Sequence, residues 1–151
     1  HPRGTLMPFF HDQSRAGLRR AWQEAWQRRR DGLPVEPLQA QMADVIDLHP
    51  EYAALLEDTS ALERDWRPEG GQQNPFLHLG LHMAIREQVG TDRPPGIAQA
   101  HASLARRLGS VHAAEHAMLE KLAEALWEAQ RSGRAPDERA YLDAVRTLAS
   151  G

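Results

Sequence analysis

Residues 111–130, VHAAEHAMLEKLAEALWEAQ, decide the fold. On a wheel of about 100° per residue with Val111 as origin, Ala114, Met118, Leu122, Ala125, Leu126 and Ala129 form one apolar stripe, while Glu120, Glu124 and Glu128 point outward. That pattern is an amphipathic helix, and Gly133 is placed to end it. No stretch of the chain alternates apolar and polar residues as a half-buried strand would.

The same grammar extends outward in both directions. Ser14 can cap a helix whose face carries Leu18, Ala21, Trp22, Ala25 and Trp26 and which ends near Arg30 before Gly32. A second helix follows Pro37 and stops at His49, because the residue before Pro50 is pushed out of the helical region. Pro50 suits the first turn of a short third helix over 50–57, and 58–73 reads as a loop anchored by Trp66. Asn74 and Pro75 open a fourth helix reaching about Val89, GTDRPPG breaks it, and a fifth covers about 96–108. Gly109 and Ser110 separate that from the helix at 110–131, and Pro136 or Asp137 opens the last. The expectation is an all-α fold, a compact single-domain bundle of five to seven helices spanning 7–151. Met7 reads as a native start, so 1–6 are expected to be a non-native remnant or a disordered leader.

Composition sets the class. At 151 residues, with 41% hydrophobic and 26% charged residues, the chain can bury a core, and no apolar run approaches the about 20 residues of a membrane span. The absence of cysteine removes disulfides, thiolate nucleophiles and sulfur-ligated zinc, and suits a cytoplasmic setting. A net charge of −3 offers no global attraction to nucleic acid or anionic membrane. Locally, residues 14–30 hold six arginines and two tryptophans. Trp22 and Trp26 fall on the apolar face, however, and Arg28, Arg29 and Arg30 sit where the helix dipole favours cations, so nucleic-acid binding is not expected.

The chemistry concentrates in two places. In the fourth helix, NPFLHLGLHMAIRE (74–87), apolar residues surround nearly the whole circumference, yet His78 and His82 stand four apart. Their side chains share a face at a root separation of roughly 6 Å, close enough to hold one ion. Burying imidazoles without partners costs on the order of 1–3 kcal/mol each, so something must satisfy them. In the sixth helix Glu115 lies inside the apolar stripe, with His112 and His116 on its shoulder, again four apart. Facing helices build metal sites in bundles from such side chains. The expected ligands are therefore His78, His82, His112 and His116 with Glu115, on one or two metal ions; His49 could be a further ligand, although a cap at the helix junction is its first reading.

Ordinary readings compete at each position. A buried histidine is commonly a hydrogen-bonded core residue, Glu115 could pair with Arg86 or Arg93, His49 could cap a helix junction, and Glu87 could face inward or lie exposed. His11 and His101 read as surface residues.

HAAEH (112–116) matches H-x-x-E-H, in which two histidines hold zinc and the glutamate activates bound water. The zinc peptidases with that motif take a third ligand from a glutamate well downstream in a larger mixed domain, whereas only 35 residues follow His116. Ferritin-type di-iron proteins use Glu-x-x-His, the reverse of the order from His112 to Glu115. A histidine-dominated site suits a transition metal ion: zinc or iron first, then copper or nickel. Metal-activated water or redox chemistry on a small-molecule substrate would both be available, with Glu115 as the base. The competing class is a metal-free helical adaptor that docks a protein partner and uses its buried histidines structurally.

The segments NPFLHLGLHMAIREQVGTDRPPGI, HPEYAALLE and HAAEHAMLEKLAEALWEAQRSGRAPDERAYL resemble a proteobacterial family known as domain of unknown function 1841. The likeness covers nearly all of 7–149. It implies a small all-helical bacterial protein and brings no assigned activity, so the site rests on spacing and burial. His49, His78, His82, His112 and His116 all lie within those three segments.

Overall fold

The computed structural model describes residues 15–57 and 75–151. Among them are seven helices and no strand: α1 (Arg15–Arg30), α2 (Pro37–Asp47), α3 (Pro50–Leu56), α4 (Pro75–Thr91), α5 (Ile97–Leu108), α6 (Val111–Ser132) and α7 (Glu138–Ser150). The fold is all-α, as the periodicity predicts. Ser14, Asn74, His11, residues 1–6 and the 58–73 segment with Trp66 lie outside the described residues. No helix among the described residues is long and apolar enough to cross a membrane.

Local chemistry explains the boundaries. α2 starts at Pro37 behind a capping box, in which Glu36 accepts from the backbone of Gln39 and the Gln39 side chain accepts from the Glu36 N–H. α3 starts at Pro50, where a missing N–H costs nothing. Ser110 caps α6 by accepting from the Ala113 N–H, and Asp137 caps α7 by accepting from the Ala140 N–H. Gly133, at φ 71°, ends α6 in the left-handed conformation that a β-carbon disfavours.

Contacts divide the described chain into two units, one made of 15–57 with 75–83 and the other of 84–151. In the first, Leu18, Trp22 and Ala25 of α1 pack with Met42, Val45 and Ile46 of α2, Leu56 of α3, and Phe76, Leu79 and Met83 of α4. Trp26 is half-buried against this core and its Nε1–H reaches Glu57 at 3.4 Å. The arginines ending α1 meet acids of the same unit: Arg29 bonds Asp44 at 2.8 Å and Asp47 at 2.7 Å, and Arg30 bonds Glu57 at 2.7 Å. In the second unit α5, α6 and α7 pack pairwise, burying Ile97, Leu104, Met118, Leu122, Tyr141 and Val145. The α6 stripe lies inward as read from the wheel, and Glu120, Glu124 and Glu128 are exposed.

Candidate metal centre

The first unit gathers three histidines, two from α4 and one from the α2–α3 junction. His49 occupies the second position of the two-residue step between α2 and α3, at φ −133° and ψ 71°, outside the helical region that Pro50 after it disfavours. Its N–H donates to Ile46 O at 2.8 Å and its carbonyl accepts the Tyr52 N–H at 2.8 Å, so the step is fixed at both ends. The side chain does not cap the start of α3; the ring turns inward and bonds a carbonyl in the last turn of α2, so the capping role expected at this junction falls on the end of α2. Its Nδ1 lies 2.9 Å from Val45 O, and a carbonyl can only accept, so Nδ1 carries the proton and Nε2 of the neutral ring presents a lone pair.

That lone pair points at α4. His49 Nε2 is 3.1 Å from His78 Nε2, and His78 Nε2 is 3.2 Å from His82 Nε2. The three rings meet edge to face, with centroids 4.7–4.9 Å apart. His49 and His82 are buried and His78 is half-buried. Protons alone satisfy this arrangement poorly. A linear N–H···N bond needs one proton between two nitrogens, and His78 Nε2 faces two neighbours with one position to offer. Only one of the short contacts can therefore be a linear hydrogen bond.

A cation changes the balance, since three neutral imidazoles can turn all three Nε2 lone pairs to it. With metal–nitrogen bonds of about 2.0–2.1 Å, neighbouring ligands of a tetrahedral ion stand about 3.3 Å apart, close to the 3.1 and 3.2 Å observed. The hydrogen bond from His49 Nδ1 to Val45 O is the outer contact that orients a ligating imidazole and fixes its tautomer. The arrangement forms a buried histidine cluster able to bind a metal ion.

Tyr52, in the first turn of α3, belongs to this group although spacing gave no sign of it. Its ring stacks on His49 at 5.4 Å and 9°, and stands edge-on to His78 at 5.8 Å. Burial and, second, the Glu51 charge push its phenol up, so the hydroxyl keeps its proton at neutral pH.

The remaining candidates lie in the second unit. His112 and His116 form an edge-to-face pair at 4.6 Å, with His112 exposed and His116 half-buried. Glu115 is buried, and Arg86 Nε reaches both of its oxygens, at 3.4 and 3.3 Å. Of the two arginines considered for Glu115, Arg86 is thus the one that meets it, whereas Arg93 is exposed. Glu87 is exposed as well, its carboxyl pushed up by partial desolvation. His101 departs from the surface reading: it is half-buried, and desolvation lowers its pKa against the opposing pull of Glu115.

The family described as Domain of unknown function (DUF1841) matches residues 14–147. The chain belongs to this family. The match includes the α2–α3 junction and all of α4 and α6, and so every histidine of the candidate centre. No curated protein and no solved structure matches the chain. Family membership therefore brings no chemistry with it, and the site has to be read from its own geometry.

Proposed function

We propose that this protein binds a transition metal ion, with zinc or iron the best-suited ions, through Nε2 of His49, His78 and His82. The observation that carries the reading is the pair of Nε2–Nε2 separations at His78, 3.1 and 3.2 Å, beside a tautomer of His49 that turns its Nε2 lone pair toward His78. Three neutral donors leave a fourth position on a tetrahedral ion. That position is left for a water or a small anion; His112, His116 and the Arg86-paired Glu115 are a second set of candidate ligands within the second unit.

The test is elemental analysis of untagged protein, followed by zinc titration of chelator-treated protein. About one equivalent per chain is expected, and less than about a tenth of an equivalent would favour the metal-free adaptor instead. The double variant His49→Ala/His82→Gln should take up none; stoichiometric binding by that variant would refute the ligand set. Unchanged uptake by Glu115→Gln is expected, and reduced uptake would count against a site made of the three histidines alone.

A further inference from the structure

Resting on the metal-binding reading, we propose that Tyr52 is the positioning residue of the centre, the wall that holds the His49 ring in its ligating orientation. His49 sits in the two-residue step, Leu48 and His49, between α2 and α3. Two contacts there set the ring's orientation from its own side of the site. The Val45 carbonyl holds Nδ1 at 2.9 Å, which fixes one edge of the ring. Tyr52 lies flat against the ring face, 5.4 Å between centroids and 9° from parallel, which sets the plane of the ring. The same tyrosine stands edge-on to His78 at 5.8 Å, so one aromatic ring touches a ligand from each side of the α3–α4 contact.

Tyr52 is set in place by the sequence as much as by packing. Its N–H donates to the His49 carbonyl at 2.8 Å, in the first turn of the helix that Pro50 opens, so ligand and wall are parts of one turn. The contact to His49 is through the ring face, and the chemistry required of residue 52 is therefore a flat six-membered ring rather than a hydroxyl. Outer-shell contacts of this kind typically govern 10- to 100-fold in metal affinity.

The experiment measures zinc affinity by competition with a chromophoric chelator, for the wild-type chain and for Tyr52→Phe, Tyr52→Leu and Tyr52→Ala, alongside the apo-protein melting temperature. Phe should bind within about twofold of wild type, and Leu and Ala about 10- to 100-fold more weakly. Leu retains bulk against the core, so it separates loss of the stack from loss of folding if Ala proves unstable. Cobalt substitution adds a readout that stability does not move, since a displaced His49 alters the visible bands of the tetrahedral ion. Binding by Leu within twofold of wild type, or a loss in Phe equal to that in Leu, overturns the assignment. No zinc uptake by the wild-type chain overturns the metal-binding reading and this inference together.

Discussion

At the scale of single residues, buried polar groups identify themselves by what they cost. Tyr141 is almost fully buried and its hydroxyl donates to Gln88 Oε1 at 2.6 Å, which joins α7 to α4 within the second unit. Burial pushes the phenol well above its usual value of 10.0, against a smaller opposing effect of the Gln88 bond. The sign of the linkage follows. The native chain keeps the proton while the unfolded chain gives it up from about pH 10 upward, so the unfolded state binds fewer protons and stability falls as pH rises. One such proton accounts for a slope of up to about 1.4 kcal/mol per pH unit. Tyr141→Phe should cost about 1 kcal/mol at pH 7 through the lost hydrogen bond, and urea melts between pH 9 and 11.5 should show a shallower decline than in wild type. Parallel declines would mean that the phenol does not carry the alkaline sensitivity.

The residue scale also shows where sequence reading reaches its limit. His78 and His82 were legible as a pair because helical geometry relates positions four apart without knowledge of the fold. Glu115 was legible because it interrupts an apolar stripe. The centrality of His49 was not, since its ring meets His78 across 29 positions of chain, and the only local signal, a proline after it, speaks about the backbone. Tyr52 was hidden for the same reason.

At the scale of elements, the sequence spoke most clearly, and for a local reason: proline, glycine and capping side chains act within one turn. Helix starts at Pro37, Pro50, Pro75 and Val111 and the stop before Gly133 are all written in neighbours that satisfy or remove terminal backbone groups. The capping box of Glu36 and Gln39 is one local signal that the periodicity reading passed over. Glycine then has opposite meanings at two helix ends. Gly133 has φ 71° and open space around a built β-carbon, so Gly133→Ala pays only backbone strain, about 1–2 kcal/mol of stability. Gly90 also has open space, but sits inside α4 with no left-handed angle, so Gly90→Ala should stabilise by about 0.5–1 kcal/mol. Asp137→Ala, which deletes the α7 cap, should cost about 1 kcal/mol. Chemical denaturation of the three variants checks the signs, and a destabilised Gly90→Ala would refute the helical reading of that position.

At the scale of the whole molecule, a bound ion acts on the folding equilibrium as well as on the site. Zinc that binds the folded chain alone stabilises it by about 2.7 kcal/mol at a hundredfold excess over its dissociation constant. The stabilisation should not be uniform, because protection rises most where ligands are tied together. His49, His78 and His82 stand on the α2–α3 junction and the first half of α4, so amide exchange over 42–57 and 76–83 should slow by about 10- to 100-fold on zinc addition, and the α1 surface should change little. The segment 111–119 is the discriminating one. Protection confined to the first unit is expected of a three-histidine site with water or a small anion in the fourth position, whereas slowed exchange over 111–119 would count against it. Uniform slowing across α1, α5 and α7 alike would point to general stabilisation without a defined site. No change at 42–57 and 76–83, in a protein that takes up zinc stoichiometrically, would place the ion elsewhere and overturn the three-histidine assignment.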